Sequence, residues 1–294
     1  MNQANFVQFK KERDLGGIIT DTFKFLRLEW KPFFTTIFKI SIIPILLAIA
    51  AIIFFSVSFS DLFSLALSSN DGSLGDENLG MFFVSIAFLF LFYLIAYVMV
   101  TASAMYYIRS YIENQGVIDY SYINEMTKIK FWSLSGVFIL KFFIILVGAF
   151  FCFLPSIYFG VVLSLSTSLF VFSDKDPLDA IGQSFTIIKG YWWETFGVII
   201  VVTILVVVLN YISQVPATIY QFIKMGISIE SNDPTELFSL FKDPIYLILL
   251  VFSYLVRFFL YTITIISYVF IYFDINERNN ATGSIEMIDT LGQN

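Results

Sequence analysis

Apolar residues fill six long runs of this chain, at about 33–59, 81–108, 134–154, 156–172, 193–212 and 245–273, and polar residues collect between them. No Asp or Glu falls at the middle of any run. A helical residue rises about 1.5 Å and a bilayer core is about 30 Å thick, so roughly 20 apolar residues cross it. Each run is long enough, and the fourth lies near the lower limit. Pro155 interrupts a continuous apolar stretch and removes a backbone donor, which predicts a tight reversal between the third and fourth spans. The pattern predicts an all-α integral membrane bundle of six transmembrane helices. It forms a single transmembrane domain over residues 1–273, with a cytoplasmic tail over 274–294.

The polar connections carry a second pattern. Three of them show apolar residues at helical spacing just before a span. The first covers 14–30, with Leu15, Ile18, Ile19, Phe23, Leu26 and Trp30 on one face. The second covers 119–132, with Tyr122, Ile123, Met126 and Ile129. The third opens at Asp176-Pro177, an acid before a proline suited to the first helical position, and continues with Leu178, Ile181, Phe185, Ile188 and Trp192. All four tryptophans (Trp30, Trp132, Trp192 and Trp193) fall where such a segment turns into a span. Indole joins an apolar body to one donor and favours the headgroup level. The expectation is three amphipathic interfacial helices on the cytoplasmic side, in a threefold helix-plus-hairpin repeat over about 14–110, 119–173 and 176–273.

Basic residues orient the bundle. Lys10, Lys11, Arg13, Lys24, Arg27 and Lys31 precede the first span. Arg109, Lys128, Lys130, Lys175, Lys189 and Arg278 fall in the alternate connections and the tail. The opposite connections hold Lys224 and Lys242 alone, and the 60–80 loop carries Asp61, Asp71, Asp76 and Glu77. Twelve basic residues against two place both termini in the cytoplasm. Gly, Ser, Asn and Asp in "SSNDGSLGDENLG" make the 60–80 connection a mobile loop, and 213–243 holds helical content around 216–229.

Composition narrows the chemistry. The 294 residues are 58% hydrophobic and 14% charged, with 36 Phe, no His, one Cys and a net charge of −6. Soluble domains carry nearer a quarter of charged residues. The acidic balance argues against a nucleic-acid partner. Without His the commonest general base and metal ligand is missing, no Cys/His metal site can be built, and Cys152 has no partner for a disulfide. No cofactor is expected.

The stretch "PSIYFGVVLSLSTSLFVFSDKDPLDAIGQSFTIIKGYWWETFGVII" (155–200) resembles bacterial proteins of the glycerophosphoryl diester phosphodiesterase membrane-domain family. The shared features are a short span after proline, an acidic turn, a P-x-x-A-x-x-x-S helix and a Gly-aromatic elbow, carried here by Pro177, Ala180, Ser184, Gly190 and Trp192. The opening "RDLGGIITDTFKFLRLEWKPFF" is similar to members from Bacteroidetes-type bacteria. The phosphodiesterase domain that names the family is missing here, so the resemblance implies a membrane bundle and no lipid hydrolysis.

Among individual residues Arg257 is the sharpest. It lies deep in the sixth span, too far from either end to reach the surface easily, where a charge costs several kcal/mol unless it is satisfied. Two roles stay open: interhelical hydrogen bonding to Tyr254, Tyr261, Asn210 or carbonyls, and capture of a lipid phosphate or small anion. Lys141 and Lys39 lie nearer their span ends and can snorkel; if Lys141 instead faces inward with Arg257, the two make an electropositive cavity. Gly160, Ser164 and Ser168 form a small-residue row for helix packing, which places the fourth span centrally. Asp174, Asp176 and Asp179 are spaced as a metal or phosphate cluster would be, but Asp176-Pro177-Leu178-Asp179 reads better as a helix start, with acids near the positive end of the dipole. Glu194 faces headgroups or a basic neighbour. The 280–282 sequon falls on the cytoplasmic side and is discounted.

Three functions follow in order. The first is a non-enzymatic scaffold or accessory component of the envelope, with membrane lipids and a protein in the membrane as partners. The second is a transporter or binder of lipid or small anion through Arg257, with Lys141. The third is a lipid-modifying enzyme, placed last because no nucleophile–base pair or catalytic residue is identifiable.

Overall fold

The computed structural model describes residues 6–68, 76–151, 153–230, 236–283, 285 and 288; the loop around Asp71, and Cys152, lie outside them. The described residues are all-helical. In chain order they form α1 (Leu15–Ser68), α2 (Asp76–Glu113), α3 (Tyr120–Phe151), α4 (Phe153–Ser164), α5 (Ser166–Phe172), α6 (Pro177–Ile187), α7 (Trp192–Glu230), α8 (Glu236–Ser239) with a following 3₁₀ turn (Leu240–Lys242), and α9 (Pro244–Asn280). Six stretches are long and apolar enough to cross a membrane, with α4 and α5 together forming the fourth.

The helices overrun the spans read from the sequence. Two of the three amphipathic segments are not separate helices: 14–30 supplies the first turns of α1, and 119–132 those of α3. Pro32 and Pro44 lie inside α1 and Pro216 inside α7. Each deletes one N–H, a loss that an apolar helix tolerates when neighbours satisfy the freed groups. Only the third segment stands alone, as α6. Gly190, at φ +89°, turns the chain from it into α7, a left-handed conformation that a side chain resists.

The contacts divide the chain into two compact units. One holds Met1–Ile40, Val98–Val206 and Tyr261–Asn294; the other holds Ser41–Tyr97 and Val207–Leu260. In the first, residues 100–108 of α2 and 161–171 of α4 and α5 are buried on every side. The fourth span is the most deeply buried of the six, 61% of its apolar stretch against 17–39% for the other five. Small side chains such as Ala102, Ser103, Ala104 and Ser166 let the neighbouring helices close on these segments.

The reversal into the fourth span comes before Pro155, not at it. Helix α3 ends at Phe151, and Pro155 sits in the first turn of α4, where its missing N–H has no intrahelical partner to lose. Gly148 makes the tight approach possible: a Cβ there would meet the Phe159 ring at 2.7 Å and the Ser156 backbone at 3.2 Å. Around Gly160 a Cβ would meet nothing within 4 Å. Gly148→Ala is therefore expected to destabilise the protein by about 1–3 kcal/mol through overpacking. Gly160→Ala should be neutral or gain up to about 1 kcal/mol of helix propensity. Thermal unfolding of the two variants in the same detergent checks the contrast.

In the second unit, Phe59 of α1 packs on Phe82, Phe238 and Phe241. The Ser56 hydroxyl donates to the Phe241 carbonyl at 2.9 Å, the Ser60 hydroxyl to that of Phe238 at 2.6 Å, and Lys242 pairs with Asp61. Helix α8 and its turn are thereby held against the end of α1.

Candidate functional site

A polar groove of about 210 Å³ lies between α7 and α9 in the second unit. Helix α7 lines it with Gln214, Ala217, Thr218 and Gln221, a spacing that puts all four on one helix face. Helix α9 supplies Tyr246, Leu250, Ser253, Tyr254 and Arg257. The α7 wall lies beyond Ile212, in residues expected to connect spans, and exists because the helix continues through Pro216. The Ser253 hydroxyl donates to the Ser213 carbonyl at 3.2 Å, fastening the two walls.

A charged pair stands where α9 begins, outside the residues that line the groove. Asp243 begins α9 and accepts the Ile245 and Tyr246 amides on one carboxylate oxygen, at 2.9 and 3.4 Å. Its other oxygen takes Lys224 and the Tyr220 hydroxyl, each at 2.9 Å. Lys224 above all, with Tyr220 and the two amides, holds the Asp243 carboxyl down to about 2.

Arg257 lies 13 residues past the start of α9, about 20 Å along the helix. Its side chain is exposed in the groove, beside Tyr254. The Tyr93 hydroxyl interacts with its charge. Among the described residues, no side chain or carbonyl accepts a hydrogen bond from its guanidinium, and no carboxylate pairs with it. Tyr261, another suggested partner, belongs to the first unit and pairs with the Thr101 hydroxyl at 3.3 Å.

The other cations have their own settings in the first unit. Lys141 donates to the Thr167 hydroxyl at 3.1 Å and lies 5.4 Å from the Phe138 ring centre. Lys39 is exposed over the Tyr120 ring, at 6.0 Å. Arg109 takes Asp174 in a two-point pair at 2.7 and 2.9 Å, and also bonds Glu113 and the Val171 carbonyl. That guanidinium keeps the Asp174 carboxyl below the ordinary carboxylate range. Asp174 is thus the ion-pair partner of Arg109. Asp176 holds the cap position before Pro177 with no side-chain hydrogen bond, and Asp179 lies in the first turn of α6. Among the described residues no three of His, Cys, Asp or Glu converge as metal ligands would.

The small-residue row is broken at Leu165, between α4 and α5. Ser164 bonds the Val161 carbonyl, Ser168 is fully buried, and Gly160 faces open space. Trp30, Trp132 and Trp193 are exposed. Trp192 stacks on Phe196 and Tyr158.

The N-terminal segment holds a cluster that sequence reasoning missed. Residues 6–13 are folded into the first unit, with Val7 and Phe9 buried. Phe9 stacks on Phe270 at 4.4 Å and meets Phe25, Phe273 and Tyr111 edge-on. Arg13 is buried too, pairs with Asp21 at 2.8 Å, and donates to the carbonyls of Phe9, Lys11 and Gln8. Its backbone N–H donates to Asp274 at 2.7 Å. Arg278 donates to Asp274 and Glu194 and to the Arg13 carbonyl, which identifies the basic neighbour of Glu194. The tail joins in: α9 runs past Phe273 to Asn280, and Gly283 lies so close to Lys10 that a Cβ would stand 2.5 Å from its carbonyl. The available signal was the apolar triplet Phe6, Val7 and Phe9 inside a polar stretch.

Compared with protein families, curated proteins and solved structures, the chain matches none.

Proposed function

We propose that the protein is a multi-pass inner-membrane protein that binds an anion, a lipid headgroup or a small anion, at Arg257. One observation carries this: the guanidinium stands exposed in a polar groove where, among the described residues, no carboxylate or carbonyl takes its donors. A charge so far along an apolar helix is expensive unless it meets water, a partner or an anion. Arg presents a planar fork that phosphate oxygens match two at a time. Interhelical hydrogen bonding, the competing role, finds no acceptor for the guanidinium among the described residues. Binding at Arg257 therefore replaces the scaffold as the leading reading.

The excess of basic residues on one side of the span pattern supports cytoplasmic termini. The groove then opens toward the outer face, since the segment between the fifth and sixth spans lies there. Exposed Trp193 in the first turn of α7, and exposed Trp30 and Trp132 where the amphipathic turns of α1 and α3 give way to apolar runs, suit the headgroup level. The threefold recurrence of amphipathic segment plus hairpin fits the same orientation. The resemblance to the phosphodiesterase membrane-domain family adds the expectation of a lipid setting without lipid hydrolysis.

Arg257→Gln tests the assignment. Charge-assisted hydrogen bonds are worth roughly 1.5–3 kcal/mol each, so the variant should carry at least about tenfold less anionic lipid. The measurement is extraction and mass spectrometry of lipid co-purified at equal protein abundance. An equal loss of membrane abundance would make the arginine structural and restore the scaffold.

A further inference from the structure

Resting on the reading that this groove binds an anion, we infer that its ligand is a singly charged phosphodiester lipid with an uncharged, hydroxylated headgroup. The charge count comes first. Among the described residues Arg257 is the only charged one lining the groove, and Lys224 and Asp243, three residues beyond the lining Gln221 and three before Tyr246, pair with each other. One positive charge in an apolar setting is matched by one negative charge. A phosphodiester carries one. A phosphomonoester carries about −1.5 to −2 near neutrality and would leave excess negative charge among apolar helices. A zwitterionic headgroup brings an ammonium that finds no carboxylate in the groove and lies near a guanidinium.

Neutral polar groups supply the rest of the selection. Gln214, Thr218 and Gln221 form a ladder on one face of α7. Glutamine amides both donate and accept, and hydroxyls do the same. A headgroup hydroxyl can satisfy both roles against such a ladder, whereas bare phosphate oxygens only accept. Apolar surface beside the groove selects for tails. Ile219, Phe222 and Ile223 on α7 and Ile248 and Phe252 on α9 are all more than half exposed. An amphiphile can lay acyl chains along these side chains while its phosphate reaches Arg257. A free anion gains nothing from them.

The test uses the full-length protein, delipidated in detergent and offered mixed micelles of phosphatidylglycerol, phosphatidic acid or phosphatidylethanolamine, with bound lipid read by native mass spectrometry. Inorganic phosphate is added as a competitor. Phosphatidylglycerol is expected to be retained at least tenfold better than either other lipid, and millimolar phosphate should not displace it. Gln214→Leu with Gln221→Leu should erase the preference over phosphatidic acid without abolishing anionic lipid binding. Equal or better retention of phosphatidic acid by the wild type would overturn the headgroup assignment and leave anion binding standing. Displacement by millimolar phosphate would make the ligand a soluble anion. If Arg257→Gln binds every lipid as the wild type does, anion binding at the groove itself fails. The wild-type lipid comparison requires no variant to fold.

Discussion

Phe9→Ala is expected to destabilise the protein by about 3–5 kcal/mol and to release the N-terminal segment to proteases. Phe9 is 1% exposed and surrounded by four aromatic rings, from α1, α2 and α9. Truncation removes the ring's burial and leaves a cavity whose walls cannot close, because Phe25, Tyr111 and Phe270 are themselves fully buried. Beside it the segment is held by Phe6, stacked on Tyr111 at 5.0 Å, and by buried Val7, whose N–H donates to the Tyr111 hydroxyl at 3.0 Å. Lys10 and Lys11 then offer tryptic sites as the strand lifts. The checks are the thermal midpoint in detergent and the rate of cleavage near residue 10. Phe9→Leu, which keeps most of the apolar volume, should lie between wild type and Phe9→Ala in both. Unchanged cleavage in Phe9→Ala, with a midpoint within a degree of wild type, would show that the ring does not anchor the strand.

The six long apolar stretches were legible because a bilayer sets one length and one polarity for anything that crosses it. Arg257 was legible for the same reason: a guanidinium contrasts with every neighbour in its span. Its groove was half hidden. The α9 wall could be placed from the sequence, but Gln214, Thr218 and Gln221 follow an apolar run and flank Pro216, and polarity with proline reads as a helix end. Helix α7 continues because a proline removes one donor and leaves the remaining ladder intact. The first amphipathic segment likewise reads as a separate helix in the sequence, but the chain continues through Pro32, and segment and span form one helix.

Net burial hid the rest. Arg109 reads as a positive charge near a span end, and the sequence gives no sign that it reaches 65 residues along the chain to Asp174. Gly148 and Gly160 look alike as sequence; only the reversal between α3 and α4 makes one of them close-packed. A small residue permits close approach without stating where a neighbour stands, so the Gly160 row and the contact at Gly148 could not be told apart before the helices were paired.

Arg13 carries the second large effect and shows why counting basic residues cannot find it. In the orientation count it is one of six N-terminal cations, yet its side chain is 3% exposed. Four of its five donors go to Asp21 and three carbonyls of its own segment, with the guanidinium 4.7 Å from the Phe270 ring centre. It turns a segment without regular hydrogen bonding into a fixed strap. Arg13→Met keeps the apolar stem over Phe270 and deletes the donors. Removing one partner of a buried pair costs about 3–5 kcal/mol; Asp21 is 26% exposed and can rehydrate, so about 3 kcal/mol is expected. Asp21→Asn in the same chain removes the stranded carboxylate and should recover part of the loss, while the unpaired carbonyls of Gln8, Phe9 and Lys11 keep recovery incomplete. Arg13→Lys retains the charge but cannot fork to four acceptors, and should fall between. Thermal midpoints of the three variants, measured alongside cleavage of the strap, check the order. Arg13→Met matching the wild type in both would mean that the aromatic cage alone holds the strand, and the loss in Phe9→Ala would then have to account for the whole of its anchoring.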